Sequence, residues 1–175
     1  MNWKYLLIGL VMVVPLLYFL GRGFEFDPKE IKSPLVGKPA PELALSAIGG
    51  GQNYDLMALK GTPVIVNFWA TWCVPCKQEH ALLQQAATHY QGQVQFLGVV
   101  YQDTEEKIKA WLGPTGSAYP TLLDVGSKGA IAFGVYGVPE TFFINRTGVI
   151  VEKYAGPVSA QYLVGQIERL IKGDG

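Results

Sequence analysis

The chain of 175 residues holds two cysteines, and both fall in one short motif, Cys73-Val74-Pro75-Cys76. Ahead of them runs VIVNFW, residues 64–69, a short apolar stretch rich in β-branched and aromatic side chains and preceded by Gly61-Thr62-Pro63. That is the pattern of a strand buried on both faces. Behind them a helical pattern begins. Two thiols at a strand-to-helix junction point to reversible disulfide chemistry. The first sits where unpaired N–H groups and the positive end of the helix dipole stabilise a thiolate. The second lies one turn inside, close enough to close a small disulfide ring, and Pro75 suits a first turn that needs no N–H there. A zinc half-site would need two more ligands, and beyond the cysteines the chain offers His80 and His89. A haem-attachment site needs His directly after the second cysteine, where Lys77 stands. An inert disulfide would remove little chain entropy across so short a loop. A redox-active dithiol fits the context best, with metal binding and an inert staple as the alternatives.

Further on, the helix after the cysteines carries Leu82, Leu83, Ala86, Ala87 and Tyr90 on one stripe. Glu79 falls inside that stripe, one turn on from Cys76, so the two side chains can meet. The bland alternative is a solvated first-turn glutamate favoured by the helix dipole. The inward face favours a buried carboxylate coupled to the dithiol, its pKa raised toward working pH. His80 lies off the stripe centre and reads as a half-exposed surface residue.

The stretch NFWATWCVPC resembles the thioredoxin superfamily. More narrowly, WCVPCKQEH from Trp72 and GVYGVPETF from Gly134 resemble the membrane-anchored thiol:disulfide interchange proteins of cytochrome c maturation, the DsbE/CcmG group. The likeness runs from about Leu35 to the C-terminus. It implies a cis-proline at Pro139, opposite the dithiol, with the Val138 backbone turned out to pair with an extended substrate. Trp72 joins Val138 and Pro139 as a substrate-contacting position. The buried aspartate of ordinary thioredoxins corresponds here to Asn67, which cannot act as a base, so Glu79 is the better candidate for that task. The implied substrate is the haem-binding Cys pair of apocytochrome c, or a thiol chaperone that presents it. The implied reductant is a transmembrane electron-carrier protein. No cofactor beyond the Cys73–Cys76 disulfide and no metal is called for.

These residues need a scaffold, and the remaining sequence supplies one. Residues 42–48 and 52–56 flank Gly49-Gly50-Gly51 as a short hairpin. Residues 94–101 read as a second buried strand, 104–112 as a helix stopped by Gly113-Pro114, 119–124 as a short strand, and 127–133 as a helical turn. Residues 141–145 and 149–154 flank Arg146-Thr147-Gly148 as an antiparallel hairpin. Ser159 caps a last helix with Leu163, Val164, Ile167, Leu170 and Ile171 on one side. This α/β order predicts a central mixed sheet sandwiched by helices, the thioredoxin-like fold, over residues 35–175.

At the other end, residues 5–21 carry no charge and are dominated by Leu, Val, Ile, Phe and Met. Residues 1–21 are expected to form a single uncleaved transmembrane helix, with 22–34 as a tether. The rival reading is a cleaved signal peptide, whose apolar region would be shorter and which would need an A-x-A-like site where Gly21-Arg22-Gly23 stands. Counted strictly, Lys4 on one side against Arg22, Lys29 and Lys32 on the other leans against export. Placement of the domain on the periplasmic side of the inner membrane follows from the resemblance. Equal acidic and basic counts of 14, with 16% charged residues, exclude a nucleic-acid partner held by electrostatics. The runner-up functions are a general disulfide oxidase or isomerase, and a metal- or haem-handling thiol chaperone.

Overall fold

A computed structural model describes residues 3–23 and 33–173. The chain divides into two units, Met1–Ile31 and Lys32–Gly175. In the first, α1 spans Trp3–Gly23 with Pro15 inside it. The described residues hold no helix long and apolar enough to cross a membrane. Most of the expected tether, 24–32, lies outside the described residues.

The second unit is built on a five-stranded sheet in the order β5-β4-β3-β6-β7. Its members are β3 Val64–Trp69, β4 Gln95–Val100, β5 Thr121–Leu123, β6 Glu140–Ile144 and β7 Ile150–Ala155. β3 is central and every one of its residues is buried. It pairs in parallel with β4 and antiparallel with β6, which explains the apolar stretch read in the sequence, with Asn67 as its polar member. Alternation along β3 decides what each face meets. Val64, Val66 and Phe68 pack with Leu97, Leu122, Phe133 and Phe142 on one side. Ile65 points the other way, into a core with Leu83 of α2 (Val74–His89) and Leu163, Ile167 and Leu170 of α5 (Ala160–Lys172). Asn67 shares the parity of Ile65 and therefore faces α2.

The expected hairpin exists but is shorter: β1 Ala44–Ser46 pairs with β2 Asn53–Asp55. Gly49, Gly50 and Gly51 all have positive φ, which needs residues without a Cβ. The Asp55 side chain accepts from Met57 N–H and turns the chain into a 3₁₀ segment, Leu56–Leu59. α3, Glu105–Thr115, passes the expected stop at Gly113-Pro114; its cap is Gly116, at φ 70° with its N–H on Leu112 O. The turn expected at 127–133 resolves into a 3₁₀ segment, Val125–Ser127, and α4, Lys128–Ala132. Ser159 caps α5 as expected, accepting from Tyr162 N–H, although Val164 is exposed.

Candidate active site

β3 ends at Trp69, and residues 70–72 carry the chain to the start of α2. Cys73 is the N-cap of that helix, in extended conformation, with Pro75 in the first turn. Its Sγ accepts the Cys76 N–H at 3.1 Å, one of the donors that a helix start leaves unpaired. The Cys73–Cys76 disulfide is formed, and both residues are almost fully buried. They pack with Trp69, Ala70, Val100 and Ile108, so the pair is rooted in a small core of its own.

Across from it, the Val138–Pro139 bond is cis. The Val138 carbonyl oxygen lies 3.5 Å from Cys73 Sγ. The loop ahead of β6 therefore sets a backbone group directly against the first sulfur. Immediately after it, Glu140 is buried and paired with Lys153 of β7 at 2.9 Å. Lys153 also donates to Gly134 O at 3.0 Å and stands over the rings of Tyr136 and Phe142. This pair ties both ends of residues 134–140 to β7.

Behind the dithiol, Glu79 is only 3% exposed. Its Oε1 accepts from Asn67 Nδ2 at 3.0 Å and its Oε2 from the Val158 N–H at 2.8 Å. Burial pushes its carboxyl up from 4.5 to about 7, against the lowering effect of those two donors. Asn67 Nδ2 also donates to Thr141 Oγ1 at 3.0 Å, so one amide links β3, α2 and β6. Tyr119 is buried nearby; burial first, and the Glu79 charge second, raise its phenol pKa. Trp72, 55% exposed, donates its indole N–H to Gln102 O at 3.2 Å.

A redoxin family model matches residues 35–171. A thiol:disulfide interchange protein DsbE from Allochromatium vinosum is 38% identical over 170 residues, covering 96% of this chain and 93% of the relative. The protein HelX of Rhodobacter capsulatus, also a thiol:disulfide interchange protein, is 34% identical over 172 residues, 93% of this chain and 96% of its own. Among solved structures, a thioredoxin-family thiol:disulfide interchange protein from Chlorobium tepidum superposes with a TM-score of 0.70 at 25% identity, over 76% of this chain and 95% of that one. The chain belongs to the DsbE/CcmG group of the thioredoxin superfamily. It is a thiol:disulfide oxidoreductase with a Cys-X-X-Cys active site.

In this DsbE-group chain, Cys73 and Cys76 pack in one cluster with Val138, which precedes Pro139. Glu79 lies one helical turn on from Cys76, against Asn67 and Val158, and Trp72 is exposed beside Cys73. One reading is corrected: His80 is buried, not half-exposed. Its ring lies edge-on to Trp111 at 4.4 Å and within 6.0 Å of Trp69, and Nε2 is 3.0 Å from Gln84 Nε2. α3 covers this face of α2, and a wheel drawn for α2 alone does not include that cover. Val158, Thr141 and the Glu140–Lys153 pair were missed. Their partners are distant in the chain, and no local pattern marks them.

Proposed function

We propose that this protein is a membrane-tethered reductase on the periplasmic face of the inner membrane, delivering electrons to a substrate disulfide in cytochrome c maturation. The observation that carries the reaction is the Cys73 sulfur at a helix N-terminus with the Val138 carbonyl 3.5 Å away. In the reduced protein the Cys73 thiolate attacks one sulfur of the substrate disulfide. A Cys73–substrate bond forms as the substrate S–S bond breaks, and the first substrate sulfur leaves as a thiolate that takes up a proton. Cys76 then loses its proton and attacks Cys73 Sγ, releasing the second substrate thiolate and restoring the Cys73–Cys76 disulfide. Two electrons pass from protein to substrate, and no bound cofactor takes part.

Glu79 is the acceptor for the Cys76 proton. It follows Cys76 by one helical turn, and a carboxyl pKa of about 7 leaves both protonation states populated near neutrality. Val138 offers backbone polar groups to an extended substrate, adding it as a strand, while Pro139 presents no competing N–H. Trp72 supplies an exposed ring at the rim. The substrate is the haem-binding Cys pair of apocytochrome c or the thiol chaperone that presents it, and a transmembrane electron carrier regenerates the dithiol. Both assignments rest on the resemblance carried by WCVPCKQEH and GVYGVPETF. The tether is α1, whose residues 5–21 carry no charge.

A metal- or haem-handling chaperone would need further ligands beside the two thiols. No group of three His, Cys, Asp or Glu able to hold a metal occurs among the described residues. A general oxidase differs in the direction of electron flow, and an isomerase in re-pairing the disulfides of one substrate with no net transfer of electrons. The deciding experiment is to express Cys76→Ser from its own membrane, trap the mixed disulfide at Cys73 and identify the protein caught. Capture of a c-type apocytochrome or its thiol chaperone supports the reading. Capture of a broad set of exported proteins with non-native disulfides would replace it with isomerase activity.

A further inference from the structure

Between β3 and the dithiol lie only residues 70–72, and this short stretch is gripped by the turn that follows β4. Thr71 donates twice to one carboxylate oxygen, Asp103 Oδ2: its N–H at 2.7 Å and its hydroxyl at 2.6 Å. The other oxygen, Oδ1, accepts the Thr104 N–H at 2.9 Å. One residue earlier, Gln102 gives its carbonyl to the Trp72 indole N–H. Gln102 holds a φ of 46°, a left-handed conformation that a residue with a Cβ adopts at a cost. The cost is sustained by a turn whose two successive residues hold two successive residues of the active-site loop. Trp72 is more than half exposed, so its orientation is set by this hydrogen bond and by the tilted Tyr101 ring, 6.5 Å away, rather than by burial.

We propose that Asp103 is a positioning residue for substrate capture: with the Gln102 carbonyl it clamps Thr71 and Trp72, so that the indole is presented in one orientation beside Cys73. The inference rests on the reading of Cys73 as attacking thiol and Trp72 as substrate contact, and deepens it. Its occupant is an extended polypeptide bearing a disulfide, one of whose flanking residues lies on the indole face. Partial burial disfavours the Asp103 charge, but the Thr71 hydroxyl and N–H, the Thr104 N–H and the Lys107 charge hold its carboxyl below the ordinary value. The clamp is therefore ionised wherever the thiol chemistry runs. An asparagine in its place offers a single acceptor oxygen. Whichever way that amide is turned, its NH₂ faces either the Thr71 donors or the Thr104 N–H, so it restores only part of the grip.

The test compares steady-state reduction of a disulfide peptide with that of a small aryl disulfide, which needs only the sulfur. A low concentration of a soluble dithiol regenerates the Cys73–Cys76 pair, and its direct reaction with each substrate is subtracted. Wild type, Asp103→Asn, Asp103→Ala, Thr71→Ser and Thr71→Val are measured side by side. Loss of an orienting contact used equally in ground and transition states raises KM and spares kcat. The expected peptide KM rises about tenfold in Asp103→Ala, less in Asp103→Asn, severalfold in Thr71→Val and hardly at all in Thr71→Ser, with kcat and all aryl disulfide rates within about twofold. Should Asp103→Ala fail to fold, the Thr71 pair carries the comparison, since Ser keeps the hydroxyl donor and Val keeps the shape. Equal peptide KM values for Thr71→Ser and Thr71→Val, with a wild type that reduces both substrates, overturn the clamp alone. A wild type that reduces the aryl disulfide but not the peptide overturns the reading of the rim as a substrate surface, and the clamp with it.

Discussion

Replacing Glu79 by Gln separates the proton chemistry of the site from its architecture. The carboxylate receives two N–H donors, from Asn67 and Val158, and an amide oxygen can keep only one of them. The Gln oxygen can retain the Val158 N–H. Its NH₂ then needs an acceptor, which a flipped Asn67 amide provides, with the Thr141 hydroxyl reversing its own role to donate. The packing of α2 on β3 is thus expected to survive. The energetics follow from the pKa. A rise from 4.5 to about 7 amounts to ~3 kcal/mol of preference for the protonated group. Because the folded state holds this proton more tightly than the unfolded chain, that stability is fully present below pH 4.5 and is lost as pH rises through about 7. Glu79→Gln has no such proton, so oxidised wild type and variant should have similar stability in acid. The variant should be the more stable by up to ~3 kcal/mol above neutrality. Denaturant unfolding of the oxidised proteins across pH 4–9 reads this directly (a range of roughly that width brackets the transition). In the reduced proteins, exchange with a disulfide peptide should slow and lose its inflection near neutrality. General acid–base assistance is worth ~10²–10⁴-fold, and thiol exchange also runs without it, so the fall should be at or below ~10². Superimposable stability curves, or superimposable pH–rate profiles, would refute the buried-carboxylate argument.

Three other outcomes are expected from the same structure. Lys153→Met leaves the Glu140 carboxylate buried without its cation, at a cost of ~3–5 kcal/mol by denaturant unfolding, while adding Glu140→Gln should recover most of the loss; equal stability of the single and double variants would contradict this. A Cβ at Gly98 would sit 3.0 Å from both Trp69 Nε1 and Tyr119 Cε2, so Gly98→Ala should cost ~1–3 kcal/mol, and a thermal midpoint unchanged from wild type would show that the two rings give way freely. Burial lowers the His80 pKa, against a raising bond to Gly116. Its neutral form therefore supports the fold above the ordinary value of 6.5, and that support is lost as pH falls; an NMR titration of the His80 ring should show a midpoint under 6.5, not at or above it.

The parts of the site that were legible in the sequence are those whose causes are local. The buried strand, the two cysteines and the helix start are contiguous, so composition and spacing alone placed Cys73 at the beginning of a helix, where the structure makes it the N-cap. Glu79 was legible because helical periodicity put a charged residue on an apolar stripe. His80 was misread by the same method: a wheel for α2 ignores α3, whose Trp111 arrives from 31 positions on to cover the ring. The partners of Glu79 show the limit most clearly. The Val158 N–H stands 79 residues away and Thr141 lies 74 from Asn67, and only the closing of the sheet by β6 and β7 brings them together. The end of α3 was misplaced for a different reason: Gly116, with its positive φ, is the cap, and an earlier Gly-Pro pair looked like a stronger stop.

The central claim is that the Cys73 sulfur, capped by the Cys76 N–H at the start of α2, is the attacking thiolate. It is tested most directly by alkylating the fully reduced protein near neutral pH under limiting reagent and resolving the two sites by mass spectrometry. The account requires that Cys73 be modified first, with a pKa below the ordinary ~8.5 of a free thiol, and that Cys76 lag behind. Equal rates at the two cysteines, or faster modification of Cys76, would contradict it.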